Sequence, residues 1–599
     1  MPEEIYNPVS SYRDTYKDAF RLAAEEEFQR LESAANIDAA ENAARVREIN
    51  RLEAELNSAK SRQGCMTTIV TLMVILIIIG VLSGFGLVAD VMEVDDSSTR
   101  ALYIFGGFGG AVVVFFLLVS WVCPARSRAV ERTQRLENEL NGAKQAAWEQ
   151  MEPLNQRFDW DVTARLIKKV CPILNIDPYF TSGRLNELEG HFGWSRSFHG
   201  DDRSILFSQS GDIVGNPFAF GEELVQTWED KVYTGYLTIH WTETYTDSEG
   251  ETHEVTRSET LVAHYTAPAP EYVKRSFLIY GNDAAPNLCF SRKPTGLAND
   301  GDGWFSGMRK RHALKKLKKF SENLLDESQY TLMSNHDFEV LFHSTDRNDE
   351  IQFRLLYTPL AMQQTVELLK DQTVGYGDDF TFIKENLLNL VIPNHLQGFS
   401  LDTNPVNYAT YDLDACRSFF ISRNEEYFRQ VFFSLAPLLC IPLYQQHRTA
   451  KTIYGYTPGE ESCFWEHEGM ANYLGDKRFK HPDCITRCIL KTRKRARKGN
   501  TSTIDVTAYG FRGINRVEYV ECWGGDGKFH LVPVEWVEYL PVERTSSYSL
   551  CELEPQPEND DARPLAGPRT NLDDYLDRIG VSRAYAAYRR SVFAWMEQE

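Results

Sequence analysis

The sequence predicts an α+β protein carried on a two-helix transmembrane hairpin, with an N-terminal coiled-coil stalk and a small C-terminal β-rich domain. Three observations predict it. Two long uncharged runs occupy residues 66–89 and 101–125. Stretches rich in Ala, Glu, Arg and Leu, with apolar residues at three-four spacing, lie on either side of them. Beyond residue 158, alternating strand-like runs mix with helical ones across Gly-containing turns.

Each uncharged run exceeds the ~20 apolar residues that span a bilayer core as a helix. A backbone in lipid must satisfy its own hydrogen bonds, so each is read as a transmembrane helix. The alternative, a very apolar buried hairpin of a soluble domain, is the weaker reading. Lys60 and Arg62 precede the first run, and Arg126, Arg128 and Arg132 follow the second. The connecting loop carries Asp90, Glu93, Asp95 and Asp96. Lys and Arg collect on the cytoplasmic side, which predicts an inner (plasma) membrane protein with both termini cytoplasmic. The first run starts too far from Met1, and is followed by a second, so a cleaved signal peptide is not expected. Gly80-x-x-x-Gly84 and Gly106-x-x-x-Gly110 fall at similar depth in an antiparallel hairpin, predicting that Gly84 meets Gly106 and Gly80 meets Gly110. Neither run holds an ionisable Asp, Glu, Lys, Arg or His, which argues against a proton relay or ion-coupled transporter.

Residues 1–62 are expected to form an amphipathic, coiled-coil helix with Ile49, Leu52, Leu56 and Ala59 on one face. Residues 126–157 carry the matching stripe Ala129, Thr133, Leu136, Leu140, Ala143 and Ala147. The two are expected to pair antiparallel, with Phe20, Phe28 and Leu31 docking on the globular part or on another subunit.

Residues 158–445 form the expected cytosolic α+β domain. Residues 233–245 and 253–265 read as a β-hairpin around Asp247–Gly250, and 380–392 as two short strands about Glu385-Asn386. Helices are expected near 162–174, 309–325, 359–371 and 413–433, and a strand at 337–343. Residues 452–543 read as a separate small β domain with turns at Lys498-Gly499-Asn500 and Gly524-Gly525-Asp526-Gly527. A Pro- and Asp-rich linker, 554–570, leads to a final helix at 571–597.

The segments DFEVLFHSTDRNDEIQFRLLYTPLAMQQTVELL (337–369) and DDFTFIKENLLNLVIPN (378–394), the early GNPFAF strand (215–220) and the order of parts resemble a family of bacterial two-span membrane proteins catalogued as a domain of unknown function. The resemblance covers about residues 158–445 and the hairpin architecture. It implies an integral bacterial membrane protein and supplies no catalytic residues.

Formal net charge is −21, a poor starting point for a dedicated nucleic-acid binder. The 11 cysteines are scattered, and in a reducing compartment they read as thiols or metal ligands. Cys463, His467, Cys484 and Cys488 could supply a tetrahedral zinc, although the spacing is not that of a standard finger and buried thiols are the stronger reading. No cofactor is otherwise expected. Two basic clusters stand out. One is Arg309, Lys310, Arg311, Lys315, Lys316, Lys318 and Lys319 on a helix. The other is the run 491–498. They could face anionic lipid headgroups, nucleic acid or an internal acidic partner, or be solvated. No Walker A loop, G-x-G-x-x-G after a strand, G-x-S-x-G or H-E-x-x-H is present, so catalytic residues are not assigned.

The expected function is a membrane-anchored scaffold or sensor acting at the cytoplasmic face. Its partners would be the bilayer and other proteins or a second copy. A membrane-tethered enzyme or effector is the alternative, followed by an oligomeric channel-like effector. A well-formed pocket with convergent polar groups would favour the enzyme. An exposed apolar patch would favour the scaffold.

Overall fold

The computed structural model describes residues 4–85, 97–195, 200–246, 250–298, 304–322, 330–448, 461–499, 501–552, 586–589 and 592–596. The acidic loop, the linker 554–570 and residues 571–585 lie outside them. The chain forms two compact units. One is Phe28–Phe158 with Tyr408–Phe420; the other is Met1–Glu27, Asp159–Asn407 and Ile421–Glu599.

The first unit is a long helical hairpin. One arm is the helix Ala39–Gly84; the other joins Ser97–Leu117 and Cys123–Asn155 through a π-helical turn at Leu118–Val122. Both arms contain helix long and apolar enough to cross a membrane. The expected single helix at the N-terminus is interrupted. The helix Lys17–Ala35 stops where Asn36 takes a left-handed φ of 52°, and Asp38 then caps Ala39–Gly84 by accepting from the amides of Ala40 and Glu41.

At the polar end of the hairpin, Ile49, Leu52, Leu56 and Ala59 pack with Leu136, Leu140 and Ala147 in one buried cluster. Lys60 pairs with Glu137 at 2.9 Å and Glu53 with Lys144 at 2.6 Å, so the two helices run antiparallel. Each buried leucine contributes about 1.5–3 kcal/mol, whereas the exposed ion pairs add little. Small residues close the apolar end, but not those expected. A Cβ on Gly80 would lie 3.0 Å from both the Gly107 carbonyl and Ala111 Cβ, while Gly106 and Gly110 face open space. The contact therefore uses Gly107 and Ala111 in place of Gly106 and Gly110.

The second unit holds two antiparallel sheets. The first has strand order β1-β2-β3-β4-β7-β6-β5: β1 (Leu174–Ile176), β2 (Arg203–Ile213), β3 (Asn216–Thr246), β4 (Thr252–Gly281), β5 (Cys289–Arg292), β6 (Phe380–Glu385) and β7 (Leu388–Pro393). Phe218, Leu278, Tyr280 and Val391 are fully buried on it. The N-terminal segment packs within this unit: Tyr12 lies 5.3 Å from Phe432, and Phe20 stacks on Phe428 at 4.5 Å.

The second sheet has order β11-β12-β10-β9-β8: β8 (Ile489–Lys498), β9 (Thr501–Trp523), β10 (Phe529–Glu552), β11 (Ala586–Arg589) and β12 (Val592–Trp595). It has its own core of Leu490, Ile504, Val506, Ala508 and Leu550 but belongs to the same compact unit. The helix expected at 571–597 is corrected in its described part, since Ala586–Arg589 and Val592–Trp595 are two strands that extend this sheet; its residues 571–585 lie outside the described residues. The expected strand at 337–343 is a helix, His336–Phe342. The Asn335 side chain caps it by accepting from the Phe338 amide, and every residue from Phe338 to Phe342 is buried.

Two hairpins leave these sheets. β3 and β4 stay paired out to Thr246↔Thr252, although β2 leaves β3 at Val225. The remainder runs about 70 Å at roughly 3.3 Å per residue. β9 and β10 stay paired out to Trp523↔Phe529, beyond the end of β8. The hairpins pack face to face through Ile239, Leu261 and Ala263 on one and Val532 and Val534 on the other. Their backbones approach so closely that a Cβ on Gly235 would lie 2.2 Å from the Pro533 carbonyl. Pro268 and Pro270 sit on the free edge of β4, where a missing N–H discourages further strand pairing.

Candidate functional site

The cysteine and histidine quartet does not assemble. Cys463 packs with Phe180, Leu185 and Trp465, whereas Cys484 and Cys488 belong to the core of the second sheet, their sulfurs 3.6 Å apart. His467 Nε2 lies 3.1 Å from Ser462 Oγ, which donates to Glu552 Oε1 at 2.8 Å. Burial keeps the His467 imidazole neutral, pulling its pKa down to about 3, and pushes the Cys488 thiol up to about 12, helped by neighbouring Cys484. Among the described residues, no group of three or more His, Cys, Asp or Glu side chains is disposed to hold a metal ion.

The two basic clusters differ. The run 491–498 lies on β8 and meets acids of its own unit. Lys491 reaches Glu468 at 3.4 Å, Lys494 reaches Glu461 at 2.5 Å and Arg495 reaches Asp505 at 2.6 Å, while Arg497 contacts Glu461 and Glu552. Four of the six cations in this run are thus matched internally. The other cluster lies on the helix Trp304–Glu322. Its buried anchor is Leu317, packed with Tyr330 and Val340 and flanked by Ala313 and Leu314.

A cavity of about 1040 Å³ opens beside this helix. Arg309, His312, Ala313, Lys316, Leu317 and Phe320 face it at spacings of three and four, so one helical stripe alternates basic and apolar groups. The opposite wall includes Lys293, Thr295, Leu297, His343 and Asp346. That wall is held from beneath. Arg292 and Asp378 form an ion pair with both side chains wholly buried, and Asp378 also accepts from the amides of Thr295 at 2.7 Å and Gly296 at 3.2 Å. Of the predicted basic residues, Arg309 and Lys316 line the cavity.

Two further arrangements escape sequence reading. Asp379 Oδ2 accepts from His395 Nδ1 at 2.8 Å, and His395 Nε2 lies 3.0 Å from Ser434 Oγ. This is the connectivity of a hydrolytic triad. Its chemistry is closed, however: Ser434 is 2% exposed, sits within the helix Leu413–Leu439, and donates to the Gln430 carbonyl at 2.8 Å. The trio serves as a buried cross-link between segments. The second arrangement is an exposed aromatic face. Val517, Tyr519, Trp523, Phe529 and Leu531 lie on the side of the β9–β10 hairpin opposite Val520, Val532 and Val534, and all five are exposed. Trp523 meets Phe529 edge-on at 4.8 Å across the last strand pair. The signal was present as aromatics flanking the Gly-Gly-Asp-Gly turn, but period-two alternation alone does not say which face is covered. No protein-family model, curated protein or solved structure matches the chain.

Proposed function

We infer that this chain is a bacterial inner-membrane anchor that presents an interaction surface at the cytoplasmic face. The observation that carries the reading is the aromatic face of the second hairpin. Its inner side is satisfied by the first hairpin, yet Tyr519, Trp523, Phe529 and Leu531 remain uncovered. Contiguous exposed apolar patches mark protein contacts, and Trp and Tyr dominate the energetics of such contacts. The partner is another polypeptide that covers this face. The apolar helical hairpin supplies the anchor, and the Lys and Arg flanks support cytoplasmic termini.

The test is purification of the full chain in mild detergent, with identification of co-purifying proteins. Replacing Tyr519, Trp523, Phe529 and Leu531 together with Ser should remove a specific partner while the chain stays folded. An unchanged set of co-purifying proteins would refute the reading. Orientation is tested separately. With native cysteines removed, a Cys placed at Ser97 should react with an impermeant maleimide in intact cells, and labelling of a C-terminal Cys instead would reverse the assignment.

A further inference from the structure

We propose that the cavity beside the helix Trp304–Glu322 binds one phosphate-headed amphiphile, its hydrocarbon on the apolar floor and its headgroup among Lys293, Arg309 and Lys316. The walls divide the chemistry. Met308, Ala313, Leu317, Phe320 and Leu297 give a hydrocarbon surface, and Met308 and Phe320 are large side chains left 46% and 43% exposed on a helix rich in Lys and Arg. Lys293, Arg309 and Lys316 bring three positive charges to the same cavity. Among the described residues, Asp346 is the one acid in the lining, and it is already engaged: it accepts from Ser291 N at 2.9 Å and Ser291 Oγ at 2.5 Å.

Charge matching separates this site from the run 491–498, where Lys491, Lys494, Arg495 and Arg497 meet Glu461, Glu468, Asp505 and Glu552. The side chains of Lys293, His312, Lys316 and His343 have no hydrogen-bond or ion-pair partner among the described residues. At about 1040 Å³ the cavity is at the top of the roughly 300–1,000 Å³ range of small-molecule sites, with room for far more than an inorganic anion. The wall is preorganised. His343 is held at a left-handed φ of 52°, uncommon for a residue with a side chain, at the end of the helix His336–Phe342. The loop after β5 is tied to buried Asp378 through the Thr295 and Gly296 amides. This differs from adsorption of a basic helix onto an anionic surface, in which Lys315 and Lys318 would count as much as Lys316.

The experiment uses the full chain in phosphatidylcholine nanodiscs, with empty discs subtracted. Calorimetric titration compares dioctanoyl phosphatidic acid, dioctanoylglycerol and inorganic phosphate. Phosphatidic acid should bind at one equivalent, and the other two at least about ten-fold more weakly. The Lys293→Ala/Lys316→Ala variant removes cavity cations without touching the buried core and should weaken binding about ten-fold or more. Ala313→Trp, which fills the floor, should do the same. Lys315→Ala/Lys318→Ala should stay within about two-fold. Equal loss in that last variant would assign the binding to surface charge and overturn the proposal. So would free phosphate or dioctanoylglycerol binding as tightly as phosphatidic acid, or the absence of any binding.

Discussion

Arg292 and Asp378 form a buried ion pair 86 residues apart in sequence, and each is further tied to backbone. Arg292 donates to the Phe380 carbonyl at 2.6 Å, joining β5 to the start of β6, while Asp378 holds the loop that follows β5. Breaking a buried pair by removing one member leaves the other charge stranded, typically at about 3–5 kcal/mol. Asp378→Asn is therefore expected to destabilise the unit by a few kcal/mol, with Thr295 and Gly296 losing hydrogen-exchange protection first. A loss under about 1 kcal/mol in chemical denaturation would mean that the pair is not structurally important.

The helical hairpin makes a sharper distinction between glycines. Gly80→Leu would drive a side chain into the Gly107 carbonyl and Ala111, whereas Gly106→Leu and Gly110→Leu point into open space. Overpacking of a close contact costs about 1–3 kcal/mol. Thermal unfolding in detergent should fall for Gly80→Leu and stay unchanged for the other two. The reverse order would restore the pairing expected from the sequence.

Those glycines show what the sequence could and could not reveal. Position along the hairpin follows from counting residues, so the apposition of Gly80 with the Gly-rich end of the second helix was legible. Rotation was not: shifting the motif by one residue, from Gly106 to Gly107, turns the contacting face by about 100°. The stripe Ile49, Leu52 and Leu56 against Leu136 and Leu140 was legible because both helices repeat it. The break at Asn36 was missed because the Ala/Glu/Leu texture continues across it, although Asn and Asp two residues apart are a cap signal. Phe338, Val340 and Phe342 alternate like a strand, but Glu339 and Leu341 are buried too, so period two carried no information there. Arg292 with Asp378, and Asp379 with His395 and Ser434, arise from tertiary contact and leave no local pattern.

The stalk offers a direct test of that stripe. Leu136 is 7% exposed among Leu52, Leu56 and Leu140. Leu136→Asp would bury an unpaired carboxylate, so protease sensitivity between Ala129 and Ala147 should rise. Disulfide cross-linking should succeed between positions near Lys60 and Glu137, which are already in contact. Failure at every register would refute the antiparallel pairing.

Lys384 has a wholly buried side chain on β6 and makes stability depend on pH. Its ammonium donates to the Ala284 carbonyl at 3.2 Å and also to that of Asn386. Burial lowers its pKa from 10.5 to about 7. The sign follows from proton counting. Below pH 7 both folded and unfolded chains hold the proton, and the penalty for burying the charge is present in full. Between about 7 and 10.5 the unfolded chain holds a proton that the folded chain has shed, so stability rises with pH, by at most about 1.4 kcal/mol per unit. Buried Tyr280 and the buried thiols of Cys171, Cys416, Cys440, Cys463 and Cys488 have raised pKa values and oppose this once the unfolded chain ionises them, the thiols from about pH 8, so the rise should be read between about pH 7 and 8. Lys384→Met leaves two carbonyls without their donor and should be less stable throughout, by about 1–3 kcal/mol. The diagnostic is the difference in slope: from about pH 7 to 8, thermal unfolding of the full chain in detergent should shift upward relative to the variant, which lacks this component. Parallel profiles for the two proteins would show that Lys384 stays charged in the folded state.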